Sequence, residues 1–134
     1  MSKWEPYCEE YGWSDGRELV MFVSPYCQYC GRCSKIMTSM IDRDTLPMEH
    51  IHMVFLEATV EPEEMYDVIP QFFDVYTYGV EYDYRIMDGD YFLSMTNGMM
   101  PLVCLFEDGA LVKEYDLFSL DEAAISSFLS EDER

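Results

Sequence analysis

The sequence predicts an α/β protein built on a strand–helix–strand unit, and three stretches support this prediction. Leu19–Val23 is a run of five apolar residues, short enough for a buried strand. Between Cys30 and Ile41, apolar residues recur in steps of three and four, as they do on the buried face of a helix. Met48–Val60 first alternates and then becomes apolar, which indicates a second buried strand. This order predicts parallel pairing with a right-handed crossover.

The C-terminal third predicts an antiparallel hairpin and a final helix. Pro101–Phe106 is an apolar strand, and Ala110–Tyr115 is the predicted return strand. Glu107–Gly109 between them contains the Asp-Gly pair that is typical of tight hairpin turns. Ser119–Glu122 has the pattern of a capping box, which predicts that a helix begins there.

The middle of the chain is the part that the sequence patterns define least. Glu61–Glu64 is a favourable helix start, and an apolar stripe continues to Phe73. Proline cannot donate the helical hydrogen bond, so Pro70 is expected to kink or end this helix. Val75–Met95 is rich in Tyr and Asp, and we interpret it as a second, lengthened helix or a hairpin.

Composition excludes several classes of protein. A net charge of −19, from 27 acidic and 8 basic residues, argues against binding to nucleic acid or to an anionic membrane. A hydrophobic content of 49% excludes a disordered acidic tail. No run reaches the roughly 18 apolar residues of a membrane span, and Met1–Pro6 lacks the apolar core of a signal peptide, so a cytoplasmic protein is expected. In that reducing compartment, five cysteines indicate catalysis or metal binding rather than structural disulfides.

Two of these cysteines form a Cys-x-x-Cys pair directly after the first strand. Ser24–Pro25 ends that strand, and the helix that follows places Cys27 at its N-terminus with Cys30 one turn further on. Unpaired backbone N–H groups and the positive end of the helix dipole stabilise a thiolate at such a position. An accessible thiol that ionises readily is what thiol–disulfide exchange requires.

The surroundings of this pair resemble a known superfamily. Ser24–Cys30 is similar to a glutaredoxin active site, and Gly98–Pro101 lies where the thioredoxin/glutaredoxin superfamily has a cis-proline before an antiparallel strand. Together with the order of elements, the likeness covers about the whole chain apart from the middle. It implies a thioredoxin-like three-layer α/β/α sandwich around a mixed four-stranded sheet, to which the middle can add an element.

The resemblance also implies roles for individual residues. Cys27 would be the nucleophile and Cys30 the resolving thiol of a thiol–disulfide oxidoreductase that acts on protein or small-molecule disulfides. The backbone before the proline would pair with an extended substrate segment. The substrate-binding positions implied in this way are Tyr26, Tyr29, Met100 and Pro101. The implied partners are a disulfide-containing protein and a reductant, which is a reductase or glutathione, and no cofactor is implied.

The sequence departs from the superfamily in three respects. Met21 occupies the place of the buried aspartate that assists proton transfer in thioredoxins. Met99–Pro101 and Tyr115–Phe118 stand where glutaredoxins carry Thr-Val-Pro and Gly-Gly-Asp, so the elements that hold glutathione are not evident. The interval from Cys30 to Pro101 is more than twice the roughly 30 residues of a βαβ unit. A single domain over residues 1–134, with an insertion within about 61–98, is therefore predicted.

Further cysteines and histidines leave alternatives open. Cys33 is a candidate third thiol; a core position on the helix is favoured over redox exchange with Cys30 or a three-thiolate metal site. The spacing supplies no fourth ligand, so no metal is predicted. His50 and His52 are interpreted as surface or edge histidines rather than a metal pair. The alternative function is a non-catalytic, acidic interaction protein on the same scaffold that binds a basic partner.

Overall fold

The computed structural model of the protein describes residues 3–57 and 62–130. The strands in these residues are β1 (Arg17–Val23), β2 (Ile51–Leu56), β3 (Asp83–Met87), β4 (Leu102–Glu107) and β5 (Ala110–Tyr115). The α-helices are α1 (Trp4–Tyr11), α2 (Gln28–Asp44), α3 (Met65–Tyr76), α4 (Gly89–Thr96) and α5 (Glu122–Ser130). Short 3₁₀ helices lie at Met48–His50 and Pro62–Glu64. The strands form one sheet in the order β3-β2-β1-β4-β5.

The pairing of the central strands confirms the predicted strand–helix–strand unit and the hairpin. β1 and β2 are parallel, with Leu19 opposite Ile51, and α2 connects them. β4 pairs antiparallel with both β1 and β5. Asp108 and Gly109 make the turn between β4 and β5 with φ values of 52° and 81°, a backbone region that glycine and aspartate tolerate best.

Helices cover both faces of the sheet, which confirms the three-layer α/β/α architecture. Successive residues of β1, such as Met21 and Phe22, point to opposite faces of the sheet. All residues of the strand from Glu18 onward are buried. One face packs against the apolar sides of α2, α3 and α5. The other packs against α1 and α4 through an aromatic cluster that includes Trp4 and Tyr7. Burial on both faces explains why β1 reads as a continuous apolar run.

The middle of the chain adds the fifth strand, as the prediction allowed. β3 pairs parallel with β2 at the edge of the sheet, and α3 connects the two strands. The stretch 75–95 therefore contains both β3 and α4, which differs from the interpretation as one helix or a hairpin. β3 has a neighbour on one side only, and Asp83–Ile86 is exposed to half-buried, so the strand lacks a strong apolar signature.

Two helix boundaries differ from the prediction, since Pro70 does not end its helix and the last helix does not begin at Ser119. α3 continues to Tyr76 with Pro70 inside it. Pro70 is on the solvent side, so the loss of one hydrogen bond is outweighed by burial of Ile69, Phe72 and Phe73 on the opposite side. α5 begins at Glu122, because the carboxylate of Asp121 accepts the Ala124 N–H at 3.1 Å and takes the capping role expected of Ser119. The predicted helix start at Glu61 lies outside the described residues. None of the described helices is long and apolar enough to cross a membrane.

Candidate functional site

The topology brings four strand ends together at one end of the sheet. β1, β2, β3 and β5 run in the same direction, since β5 is antiparallel to β4 and β4 is antiparallel to β1. We call the end where these strands finish the carboxyl end of the sheet and the opposite end the amino end. The residues that directly follow the four strands are Ser24, Glu57, Asp88 and Asp116.

Cys27 lies at the carboxyl end and caps the N-terminus of α2. Its backbone is extended, with φ −100° and ψ 118°, and its Sγ accepts the backbone N–H of Cys30 at 3.4 Å. The carbonyl of Cys27 accepts the N–H of Gly31 at 3.1 Å, the first hydrogen bond of the helix. The side chain is half-buried. The sulfur therefore receives a helical N–H and the positive end of the helix dipole, both of which favour a negative charge on it.

Cys30 lies one turn further into α2 and differs sharply from Cys27 in exposure. Its side chain is fully buried, and its Sγ accepts the N–H of Ser24 at 3.4 Å. Burial raises the pKa of the Cys30 thiol well above its ordinary value. The hydrogen bond from Ser24 opposes this shift of the pKa, and the neighbouring Cys27 adds to it. The pair thus consists of an accessible sulfur and a protected thiol that keeps its proton.

An open groove of about 280 Å³ lies at Tyr29, within the Cys-x-x-Cys segment, and neither cysteine lines it. The residues that line it are Tyr29, Gly98, Met99, Met100, Pro101, Asp116, Leu117 and Phe118. The rings of Tyr29 and Phe118 lie 6.2 Å apart, and these side chains are 53% and 84% exposed. The Met100–Pro101 peptide bond is cis. The structure thus brings Tyr29, Met100 and Pro101 together at the groove, whereas Tyr26 is exposed but does not line it.

Asp116 supplies a carboxylate to the groove. Its Oδ1 accepts the backbone N–H groups of Phe118 at 2.9 Å and Ser119 at 2.8 Å. The hydrogen bonds from the backbone and the side chain of Ser119, followed by that from the backbone of Phe118, lower the pKa of the Asp116 carboxyl below its usual value. Asp116 is therefore ionised at neutral pH, and its own hydrogen bonds hold the turn that presents Phe118.

The inserted helix α3 contacts the first turns of α2. A Cβ on Gly31 would collide with the ring of Tyr76, so the absence of a side chain allows this close approach. The Nζ of Lys35 lies 5.8 Å from the centre of the same ring. Arg32, the other basic residue just beyond the cysteine pair, is exposed to solvent.

The remaining cysteines are buried away from the groove. Cys33 lies in the core between α2 and the sheet, the position that the sequence favoured, and burial raises the pKa of its thiol to about 12. Cys8 and Cys104 lie in the core on the opposite face. Burial raises the pKa of both thiols, that of Cys8 to about 11. Within residues 3–57 and 62–130, no group of three or more His, Cys, Asp or Glu residues is placed to hold a metal ion.

The surface interpretation of His52 is wrong. Its ring is buried, stacks on Trp13 at 4.7 Å and lies within hydrogen-bonding distance of two carboxylates. Its Nδ1 is 2.8 Å from Asp83 and its Nε2 is 3.2 Å from Glu18. Trp13 belongs to the connection between α1 and β1, and nothing in the periodicity of β2 indicates that this ring covers the start of the strand.

The sequence analysis did not name Leu117 and Phe118 as substrate-binding residues, although it placed Tyr115–Phe118 where glutaredoxins carry Gly-Gly-Asp. They belong to the loop after β5, far in sequence from the cysteines. A usable signal was present, because the strand order implied by the resemblance brings the ends of β1 and β5 to the same end of the sheet. An aromatic residue directly after the last strand is then a candidate neighbour of Cys27.

The sequence matches no protein-family profile and no curated protein. Solved structures do match. A thioredoxin-like protein in its oxidized form has a TM-score of 0.62 at 14% identity, covering 87% of this chain and 80% of that chain. The thioredoxin domain of a thiol-disulfide oxidoreductase from Bacteroides vulgatus has a TM-score of 0.60 at 12% identity, covering 89% and 83%. A secreted Mycobacterium tuberculosis disulfide oxidoreductase homologous to E. coli DsbE has a TM-score of 0.54 at 9% identity, covering 87% and 81%. The fold is therefore thioredoxin-like.

Proposed function

We propose that the protein is a thiol–disulfide oxidoreductase in which Cys27 is the nucleophile and Cys30 the resolving thiol. The observation that carries this proposal is the asymmetry of the pair. Cys27 is accessible and receives a helical N–H at its sulfur, whereas Cys30, one turn away, is fully buried with a raised pKa. Exchange needs both properties, because only one sulfur should meet the substrate and the other should attack afterwards.

The proposed reaction proceeds through a mixed disulfide. The Cys27 thiolate attacks one sulfur of the substrate disulfide, forms a bond to it and releases the second substrate sulfur, which takes up a proton. Cys30 then loses its proton and attacks the sulfur of Cys27, which releases the first substrate sulfur as a thiol. The substrate gains two electrons, and the protein is left with a Cys27–Cys30 disulfide that an external thiol or dithiol reductant must reduce.

The fold and the neighbouring structures support this proposal and its choice of substrate. Two of the similar structures are described as a disulfide oxidoreductase and a thiol-disulfide oxidoreductase. We propose a protein disulfide as the substrate because an open groove at Tyr29 runs past Met100 and Pro101. The reaction uses only sulfur chemistry, so no cofactor is proposed; glutathione stays a candidate reductant, and the cytoplasmic location stays a prediction.

A trapping experiment tests the assignment of the two roles. Cys30→Ser should accumulate a mixed disulfide on Cys27 when it is mixed with an oxidised peptide, because the resolving thiol is gone. Cys27→Ser should form no such adduct. Intact-protein mass spectrometry with peptide mapping identifies the linked sulfur. An adduct on Cys30, or on neither cysteine in either variant, would contradict the proposal.

The alternative function, an acidic interaction protein that binds a basic partner, is favoured by one observation. Glu57, Asp88 and Asp116 follow three strand ends around Cys27 and form no ion pair within the described residues. The two functions differ in their response to Cys27→Ser. Loss of exchange identifies the enzyme, whereas unchanged affinity for a basic partner and no exchange in the wild type identify the interaction protein.

A further inference from the structure

We propose that the groove at Tyr29 selects protein disulfides in which a bulky apolar residue and a lysine or arginine lie next to the reacting cysteine. This inference rests on the proposed function and names its substrate class. It rests on two features of the groove, namely an apolar lining and a carboxylate, and on the distribution of charge at the carboxyl end of the sheet.

The apolar lining includes Tyr29 and Phe118, whose ring centres lie 6.2 Å apart, so the two side chains form one continuous aromatic surface at the groove. Phe118 is 84% exposed, the largest exposed fraction among the large hydrophobic side chains of the described residues. Met99 adds a further exposed apolar side chain at the groove. A partner that covers apolar surface around an open groove removes it from water, and this burial contributes favourably to the free energy of binding. The groove, at about 280 Å³, has room for one large side chain.

The carboxylate of Asp116 is fixed in the same loop as Phe118. Its Oδ1 is held by the N–H groups of Phe118 and Ser119, so the loop that presents the aromatic ring also presents the charge. Among the described residues, no lysine or arginine lines the groove. An ionised carboxylate next to an apolar surface favours a substrate that carries a cation beside its apolar residue.

The wider charge distribution has the same sign on both sides of the cysteine pair. β2 and β3 end in Glu57 and Asp88 on one side of β1, and β5 ends in Asp116 on the other. The basic residues on α2 beyond Cys30 are Arg32, Lys35 and Arg43; Lys35 lies over the ring of Tyr76, and Arg43 is in the last turn, away from the cysteine pair. The overall charge of −19 adds a long-range attraction for cations.

Two consequences follow for the reaction. A cationic segment is drawn to the carboxyl end of the sheet and is held there by Asp116 while Cys27 attacks. An anionic disulfide, including that of glutathione, which carries net negative charge, is repelled from the same surface. The selectivity is therefore expected in kcat/KM and should weaken as added salt screens the charges.

Matched peptide disulfides test this inference on the 134-residue chain. Each peptide has one cysteine joined through a disulfide to neutral 2-mercaptoethanol, with phenylalanine and lysine beside the cysteine. Three partners replace lysine with glutamine, lysine with glutamate, or phenylalanine with alanine. A small neutral disulfide, bis(2-hydroxyethyl) disulfide, serves as the reference for exchange itself, and a dithiol regenerates the enzyme.

We expect kcat/KM to be roughly 10- to 100-fold higher for the lysine peptide than for the glutamate peptide at low salt, with the ratio falling at high salt. Asp116→Asn should reduce that ratio roughly 3- to 10-fold, because Asn keeps an oxygen for the turn but loses the charge. Glu49→Gln is the matched control, since Glu49 is an exposed carboxylate that precedes β2 at the amino end, and it should leave the ratio unchanged. Phe118→Ala should reduce the preference for phenylalanine over alanine.

The outcomes separate the inference from the proposed function. Equal kcat/KM values for the lysine and glutamate peptides, with all disulfides still reduced, would overturn the inference and leave the oxidoreductase intact. Equal losses of selectivity in Asp116→Asn and Glu49→Gln would show a general field effect and overturn the role of the groove. Failure to reduce any peptide or the neutral reference disulfide would overturn the proposed function itself.

Discussion

Both ends of the sheet carry carboxylates, but their surroundings differ. At the amino end, the charges are paired. The side chain of Arg17 lies 2.7 Å from Glu107 across β1 and β4, and Arg85 lies 3.1 Å from Asp83 on β3. Glu18, which is almost fully buried, has its Oε2 within 3.2 Å of a histidine.

At the carboxyl end, the charges are left without ion-pair partners. Glu57, Asp88 and Asp116 form no ion pair within residues 3–57 and 62–130. The carboxylate of Asp88 accepts the N–H of Tyr91 in the first turn of α4, and that of Asp116 accepts N–H groups of its own loop. Paired charges tie strands together, whereas unpaired charges produce a field that acts on partners. The comparison indicates that the charged residues at the amino end contribute to the stability of the fold and that those at the carboxyl end contribute to the proposed function.

The largest expected effect is on chemistry at the carboxyl end. Cys27→Ser should lower the rate of exchange with a neutral disulfide by roughly a thousandfold or more, since the hydroxyl cannot replace the sulfur in a disulfide. Cys27 is half-buried and caps α2, a role that serine also fills, so the free energy of unfolding should change by less than about 1 kcal/mol. Exchange kinetics and urea unfolding of one sample measure both quantities. A variant that keeps most of the exchange rate would contradict the assignment.

The opposite result is expected at the amino end. His52→Ala removes a buried ring that lies between Glu18 and Asp83, so the free energy of unfolding should fall by about 2–3 kcal/mol. The rate of exchange in the folded state should stay within about twofold of the wild type, since the histidine is at the far end of β2 from Cys27. Urea unfolding and exchange kinetics again give both values. A large loss of exchange without a loss of stability would break the division between the two ends.

A smaller effect is expected from the unpaired carboxylates. Glu57→Gln combined with Asp88→Asn should change the free energy of unfolding by less than about 0.5 kcal/mol, because Asn can still cap α4. The rate of exchange with the lysine peptide should fall a few-fold at low salt, with a shallower salt dependence. Measurement of this rate at several salt concentrations tests the prediction. A loss of stability as large as that of His52→Ala would show that these carboxylates are structural.

The smallest effect concerns acid stability. Burial raises the pKa of the Asp83 carboxyl, but the hydrogen bonds from His52 and Arg85 outweigh it and lower the pKa overall. A lowered pKa in the folded state means that the charge stabilises the fold above the unfolded value of about 3.9 and that this contribution is lost as the pH falls through the folded value. Asp83→Asn should therefore lose less stability than the wild type between about pH 5 and about pH 2. Parallel urea titrations measure the difference, and identical pH profiles would contradict it.

The sequence predicted the elements that bury one face or both faces, because such burial leaves a periodic or continuous apolar pattern in the sequence. β1 is a continuous apolar run, α2 has an apolar stripe in steps of three and four, and β2 alternates before it becomes apolar; the cysteine pair follows β1 directly. β3 has the weak pattern of an edge strand, so its pairing with β2 depends on α3 packing over the sheet. Pro70 was misleading because local propensity yields to the burial of three neighbouring apolar residues.

The residues of the candidate site likewise fall into those that a local sequence pattern predicted and those that depend on tertiary packing. The positions of Cys27 and Cys30 follow from the local strand-to-helix boundary and were predictable. Phe118 and Asp116 come from a loop that the strand order brings to the groove, and before the structure only the resemblance to the glutaredoxin Gly-Gly-Asp position pointed to it. The burial of His52 depends on Trp13, whose position is fixed by tertiary packing of α1.

Equilibration of the wild-type protein with glutathione buffers of graded potential, followed by thiol trapping and mass spectrometry, tests the central claim most directly. We predict one reversible disulfide between Cys27 and Cys30, with a midpoint between roughly −120 and −270 mV, while Cys8, Cys33 and Cys104 stay reduced in the core. The same trapped sample can be assayed for metal. A pair that stays reduced throughout this range, or that holds stoichiometric zinc, would contradict the oxidoreductase and favour the acidic interaction protein.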